Sequence, residues 1–281
     1  MEGDKTLATS ASTKAVEEES LAALNMDEAI LSQRRGIEEQ IASEQQYLVS
    51  STRELSELER DYQHHGEFSA RIQELKLIYG CLRRTRADGN CFYRAFGFSV
   101  FEALRKNKAA YQAFRKSITE AKEYLVIIGY PTFTLEDFYE NFIEELDKVC
   151  DGEGCPISQL EELFNDKGMS NYLVVFLRLI TSSQLQKEQD FFINFIDGYS
   201  TVKEFCSQEI EPMDKESDHV QMNALTSATG VCMRVFCMER GQYSTVTFPS
   251  DGKPIIHLLY RPGHFDILYP SADATADSPT L

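Results

Sequence analysis

The sequence predicts an α+β domain in which helices come first and a small, mostly antiparallel sheet closes the chain. Three observations carry this. Apolar residues recur at helical spacing from Asn25 through most of the chain. The last third turns to short β-branched, alternating strings. The 281 residues, 42% of them hydrophobic, suit one large domain with extensions.

Residues 1–24 are rich in Ser, Thr, Ala and Glu and are expected to be disordered. Over 25–50, Ile30, Ile37, Ile41 and Leu48 mark one face of an amphipathic helix. Periodicity leaves open whether that face packs on the domain or waits for a partner. The main domain is expected over 51–269. Leu55, Leu58 and Tyr62 begin its first helix, and Phe68, Ile72, Leu75 and Tyr79 mark a second that Gly80 would stop. Further helices are expected at 109–128, 135–149, 156–164, 170–186, 191–196, 202–208 and 219–228. "TLED" from Thr134 reads as a helix-capping signature. Strands are expected at 231–238, 245–248, 255–260 and 264–269, the last two joined by a tight turn at "RPG". The tail, 270–281, lacks a core pattern and should be loose.

The formal net charge is -17, so the chain lacks the basic footprint of a nucleic-acid binder. The polar, acidic start has no signal-peptide pattern, and no apolar run could span a bilayer. The expected location is the cytosol, with the nucleus also open. Seven scattered cysteines are then expected to be reduced thiols. Cys150 and Cys155 flank "DGEG", but no second ligand pair follows at zinc spacing. No metal is assigned, and no Walker-type loop suggests a nucleotide.

The stretch "DGNCFYRAF", 88–96, puts Cys91 at the start of a helix. There the helix dipole favours a thiolate, and with cationic help a thiol pKa falls from about 8.5 to roughly 3.5–7.5. Gly89 permits a tight turn, and N–H groups of Gly89, Asn90 and Cys91 could converge as an oxyanion hole. The bland alternative is a buried structural cysteine. A nucleophile needs a base. His64 and His65 lie in a polar link and His257 within an apolar strand. His264 opens the last strand, with Asp266 two residues on and therefore on the same face. The expected arrangement has Asp266 holding Nδ1–H, with Nε2 facing the thiol. Asp88 would oppose a thiolate by charge, so its expected task is to accept backbone N–H groups and hold the loop.

"DGNCFYRAFGFS" and the late "LLYRPGHFDILY" resemble the otubains, a branch of the ovarian-tumour class of cysteine deubiquitinases. The resemblance extends through "YLVVFLRLITS", "FFINFIDG" and "VKEFCSQEIEPMDKESDHV". It implies a papain-like OTU fold and a thiol isopeptidase. Cys91 would be the nucleophile, His264 the general base, Asp266 its orienter and Asp88 the loop aspartate. No cofactor is implied. The long N-terminal segment resembles the branch that prefers chains joined through lysine forty-eight of ubiquitin. That branch also blocks ubiquitin-charged conjugating enzymes without cleavage. The resemblance puts the conjugating enzyme against Tyr130, Thr134, Phe138, Tyr172 and Phe176, and the distal ubiquitin against Phe191, Phe192, Phe195, Glu216 and His219. By spacing alone the three phenylalanines would sooner be core, and His219 a cap or surface residue. The implied partners are ubiquitin, polyubiquitin and charged conjugating enzymes, with no nucleic acid, no membrane, and a monomeric chain. The loop "CDGEGCP" and the extra tail depart from the family pattern. Two alternatives stand beside the deubiquitinase: a ubiquitin and conjugating-enzyme binding protein with little catalysis, and an unrelated cysteine hydrolase or acyltransferase.

Overall fold

The computed structural model describes residues 47–62, 66–150, 155–238 and 245–271. All of these fall in the second of two units, which begins at Gln46. The expectations for residues 1–24, for most of the helix at 25–50 and for the tail beyond Ser271 lie outside the described residues.

The first described segment corrects one boundary. The end of the expected N-terminal helix, 47–50, is extended rather than helical. Val49 bridges Thr85, and Ser50 N–H donates to the Arg84 carbonyl at 2.8 Å. Asn165 Oδ1 accepts the Leu48 and Val49 amides at 2.7 and 3.1 Å. Leu48 is therefore buried on the domain as part of an extended strap, although its spacing continued the helical pattern.

The chain then makes β1 (Arg53–Glu54), α1 (Leu55–Asp61), α2 (Gly66–Ile78) and β2 (Tyr79–Arg83). Next come α3 (Cys91–Leu104), α4 (Lys108–Ile127), α5 (Thr132–Cys150), α6 (Ile157–Asn165) and α7 (Lys167–Lys187). Two short turns follow, α8 (Gln189–Phe192) and α9 (Val202–Phe205), the latter running into one π-type turn at Cys206–Ile210. The order ends with α10 (His219–Thr229), β3 (Met233–Cys237), β4 (Thr245–Phe248), β5 (Ile256–Arg261) and β6 (His264–Pro270).

The α+β expectation holds. Among the described residues six strands form one sheet, ordered β1-β2-β6-β5-β3-β4, and only β3–β5 is parallel. Two strands escaped the sequence reading. Tyr79 continues the helical spacing of Phe68, Ile72 and Leu75, but the helix ends at Ile78 and Tyr79 pairs with Pro270. A strand whose partner lies at the far end of the chain leaves little local trace. Gly80 consequently sits inside β2 and stops nothing. The "TLED" signature is also superseded, because α5 starts at Thr132 and Leu135 N–H bonds back to the Pro131 carbonyl.

Helix α3 organises the core. Twelve of its fourteen residues are buried, so it is apolar nearly all round and runs through the middle of the domain. Phe92, Phe96, Phe98 and Phe101 pack there with Phe142, Phe164 and Phe176 from α5, α6 and α7. Gly97 lets those helices close in: a Cβ there would stand 3.1 Å from Leu177 and 3.3 Å from Phe164. A second cluster, with Leu55, Leu58, Ile72 and Leu75, packs α1 and α2 against Leu82, Leu259 and Leu268 of the sheet. Cys91 is thus the first residue of a helix buried almost along its whole length, and His264 the first residue of a central strand.

Candidate active site

Cys91, His264 and Asp266 are brought together in the interior, at 5%, 1% and 0% exposure. Register sets the second wall: β5 and β6 are antiparallel, with Arg261 opposite His264 across the Pro262–Gly263 turn. Gly263 takes φ 72°, the left-handed conformation such a reversal needs.

The imidazole orientation differs from the sequence expectation. His264 Nε2, not Nδ1, meets Asp266 Oδ1, at 2.9 Å. The two-residue spacing, with Cα atoms about 6.6 Å apart, puts both side chains on one face, and the rotamer of the imidazole decides which nitrogen meets the carboxylate. Nδ1 is left buried without a hydrogen bond and is the nitrogen available to Cys91. Burial opposes charging of this ring, but Asp266 and then the Cys91 sulfur outweigh it and lift its pKa to about 9. Cys91 acts on the ring from its own side, and catalytic contacts of this kind commonly tighten with substrate bound.

Asp266 is held on every side. It accepts from Thr85 N–H at 3.0 Å, from His264, and from Arg261 Nη2 at 2.5 Å. Burial would raise its pKa, but Arg261 and His264 keep the carboxyl well below the ordinary carboxylate range. Arg261 is itself 2% exposed, so the pair is a buried ion pair directly behind the base. Sequence reasoning missed Arg261, although it sits in the string "RPGHFD" as a charge facing the turn.

The loop before Cys91 is equally constrained. Asp88 Oδ1 accepts Asn90 N–H at 3.1 Å and Arg94 Nη1 at 2.8 Å. The Asn90 amide proton is thereby committed, which removes it from the expected trio of oxyanion donors. The Cys91 N–H heads α3, where no intrahelical acceptor exists. Gly89 has φ +71°, and a Cβ there would lie 2.3 Å from the Asp214 carbonyl oxygen. From the other side comes Arg178 of α7, fully buried, its guanidinium 4.5 Å from the Tyr93 ring centre. Its Nη2 donates to the Gly89 carbonyl, Asn90 Oδ1 and the Lys215 carbonyl, and its Nη1 to the Ile210 carbonyl. Burial lowers its pKa, against the fields of Tyr93, Asp214 and Cys91. The signal for Arg178 was present: a lone charge in "YLVVFLRLITS" must be paired or buried for a reason.

The residues assigned by resemblance to partner surfaces divide. Phe191 and Phe195 are half exposed, their rings 5.1 Å apart, while Phe192 is core beside Leu185 and Cys206. Glu216 is exposed, with its carboxylate next to Gly263, and His219 is exposed at the head of α10, where Asp218 caps it. On another face, the Phe138 ring packs tilted against Tyr172, centres 5.1 Å apart, and Thr134 is exposed. Tyr130 is half-buried, its hydroxyl bonded to Ser182, Glu211 and Gln186. Phe176 does not belong with them. It is wholly buried against Tyr139 and Phe142, one turn deeper along α7 than Tyr172, and has no surface to offer a partner. Phe133, 90% exposed, lies beside Thr134 in the same segment.

All seven cysteines are free. Among the described residues no cluster of His, Cys, Asp and Glu could hold a metal, and no helix is long and apolar enough to cross a membrane. What remains is a thiol, an imidazole able to carry a proton at neutral pH, and a carboxylate that fixes the ring. Such a set can perform nucleophilic acyl transfer.

Comparison with known proteins agrees. The sequence profile of the family described as Peptidase C65 Otubain matches residues 41–270. The human protein Ubiquitin thioesterase OTUB1 is 46% identical over 250 residues, covering 88% of this chain and 91% of that protein. Human Ubiquitin thioesterase OTUB2 is 32% identical over 224 residues, covering 79% and 95%. A solved complex of h/ceOTUB1 with ubiquitin aldehyde and UBC13~Ub superimposes with TM-score 0.77 at 37% identity, over 88% of this chain and 99% of that one.

Proposed function

The chain belongs to the Peptidase C65 otubain family, and from that premise we propose that Cys91, His264 and Asp266 hydrolyse ubiquitin isopeptide bonds. It is a cysteine-type ubiquitinyl hydrolase close to otubain-1. The observation that carries the residue assignment is the buried meeting of Cys91 with a charge-supported His264 in front of a glycine turn.

Cys91 as thiolate attacks the isopeptide carbonyl between a ubiquitin C-terminus and a lysine. The oxygen that becomes negative is met by the N–H groups of Gly89 and Cys91. His264 gives its Nδ1 proton to the departing lysine amine, leaving a thioester on Cys91. Water then attacks the thioester, with His264 taking its proton and returning it to the Cys91 sulfur. Asp266, fixed by Arg261 and Thr85, keeps the ring in the one orientation that serves both steps.

Two finer readings belong to this proposal. Chains joined through lysine forty-eight of ubiquitin are the preferred substrate, as the resemblance implies. The chain also holds ubiquitin-charged conjugating enzymes and stalls transfer without cleavage. The exposed Phe133, Thr134 and Tyr172, with the half-buried Phe138 against Tyr172, support this second activity, together with the charged UBC13 in the related complex. The protein acts in the cytosol, as a monomer. Diubiquitin of the two linkages, through lysine forty-eight and lysine sixty-three, tests the first reading: the former should be cut at least about tenfold faster. Cys91→Ala should still stall a charged conjugating enzyme, and Phe138→Asp should not. Equal cleavage of both linkages would overturn the preference. Loss of stalling in Cys91→Ala would overturn the separate activity.

A further inference from the structure

The side-chain amide of Asn90 makes four hydrogen bonds, which uses every donor and acceptor site it has. Its Oδ1 accepts from Arg178 Nη2 at 2.8 Å and from Asp214 N–H at 3.0 Å. Its Nδ2 donates to Asp214 Oδ1 at 2.7 Å and to the Asp88 carbonyl at 3.3 Å. The Asp88 carbonyl and the Gly89 N–H are opposite edges of one rigid peptide plane. Whatever holds the carbonyl therefore aims the N–H. The next plane is pinned at both edges too: Arg178 holds the Gly89 carbonyl at 2.9 Å, and Asp88 holds Asn90 N–H at 3.1 Å.

The partner that makes this possible is the segment between the π-type turn and α10. Asp214 stands there at φ 64°, the described non-glycine residue in that conformation, with its carbonyl against Gly89. Arg178 ties the same segment down through the Ile210 and Lys215 carbonyls. One buried guanidinium thus reaches both the loop that precedes the nucleophile and the segment that braces it.

We propose that Asn90, clamped between Arg178 and Asp214, is a positioning residue that aims the Gly89 N–H at the oxyanion formed during cleavage. The segment from Ile210 to Lys215 is then part of the catalytic apparatus, although it contributes no group that touches the reacting atoms. This rests on the hydrolase reading above.

The test compares Asn90→Ala with wild type in three readouts: kcat and KM for diubiquitin cleavage, and the rate of Cys91 alkylation by iodoacetamide at the same pH. Alkylation displaces iodide at a saturated carbon and forms no oxyanion, so it reports the thiol alone. Loss of one aimed donor should lower kcat by about a hundredfold, with KM and alkylation each within about threefold of wild type. A kcat within about threefold of wild type overturns the proposal, as does a parallel fall in kcat and alkylation. Asp214→Ala is the second variant. The residue is exposed, and removing its carboxylate takes away one of the four bonds. It should cost about tenfold in kcat with alkylation unchanged, and an unchanged kcat overturns the proposal. A wild-type protein that cleaves nothing overturns the hydrolase reading instead.

Discussion

Alanine at position 266 is expected to slow ubiquitin cleavage by about a thousandfold to ten-thousandfold and to cost the fold about 3–5 kcal/mol. The two losses share one cause. Asp266 is the counter-charge for two buried cations, Arg261 and a protonated His264. Without it Arg261 remains in the interior, 2% exposed, as a charge with no carboxylate beside it. His264 loses the partner that fixes its ring, and burial, the largest influence on it, then drives its pKa down from about 9. In wild type the folded pKa lies above the ordinary 6.5, so folded protein binds the extra proton. That contribution to stability is complete below about pH 6.5 and is lost as pH rises through about 9. The variant lacks it, so the difference in Tm between wild type and Asp266→Ala should narrow between pH 6 and pH 9.5. A gap that stays constant, or a variant that cleaves at the wild-type rate, would contradict this assignment.

Gly89→Ala is expected to lower kcat by at least about a hundredfold and stability by about 2–3 kcal/mol. The left-handed backbone alone costs a side chain about 1–2 kcal/mol. The larger part is steric: the new Cβ would lie 2.3 Å from the Asp214 carbonyl oxygen and 2.4 Å from its carbon. These are backbone atoms, and they cannot swing aside as a flexible side chain would. Either the loop before Cys91 moves or the Ile210–Lys215 segment does, and each movement misplaces groups around the nucleophile. Gly230→Ala is the control. It has nearly the same φ, +68°, with nothing within 4 Å of the added carbon, so it should cost about 1 kcal/mol and leave cleavage intact. Kinetics and thermal melts of the two variants together separate backbone strain from collision.

Much of this site could be read before any fold was known, because its reacting groups lie in two short strings. A cysteine at a helix start and a His-x-Asp at a strand start each carry their chemistry locally. The supports do not. Arg178 is far from Asn90 in sequence, and only the packing of α7 beside α3 joins them. Strand β2 was hidden for the same reason, since Tyr79 satisfies helical spacing while its partner is Pro270. The inverted imidazole shows a finer limit: the two-residue period puts His264 and Asp266 on one face but does not say which nitrogen reaches the carboxylate. Tyr172 and Phe176 are neighbours on one helix face by spacing, yet one turn separates a half-exposed ring from a wholly buried one. Depth below the surface is a property of what packs above, and α5 supplies that cover.

The central claim is that Cys91 is the nucleophile of a ubiquitin isopeptidase. It is tested most directly by incubating purified wild type and Cys91→Ala, as full chains, with diubiquitin joined through lysine forty-eight of ubiquitin. Wild type is expected to release monoubiquitin, and the variant none. Equal release by both proteins, or release by neither, would contradict it.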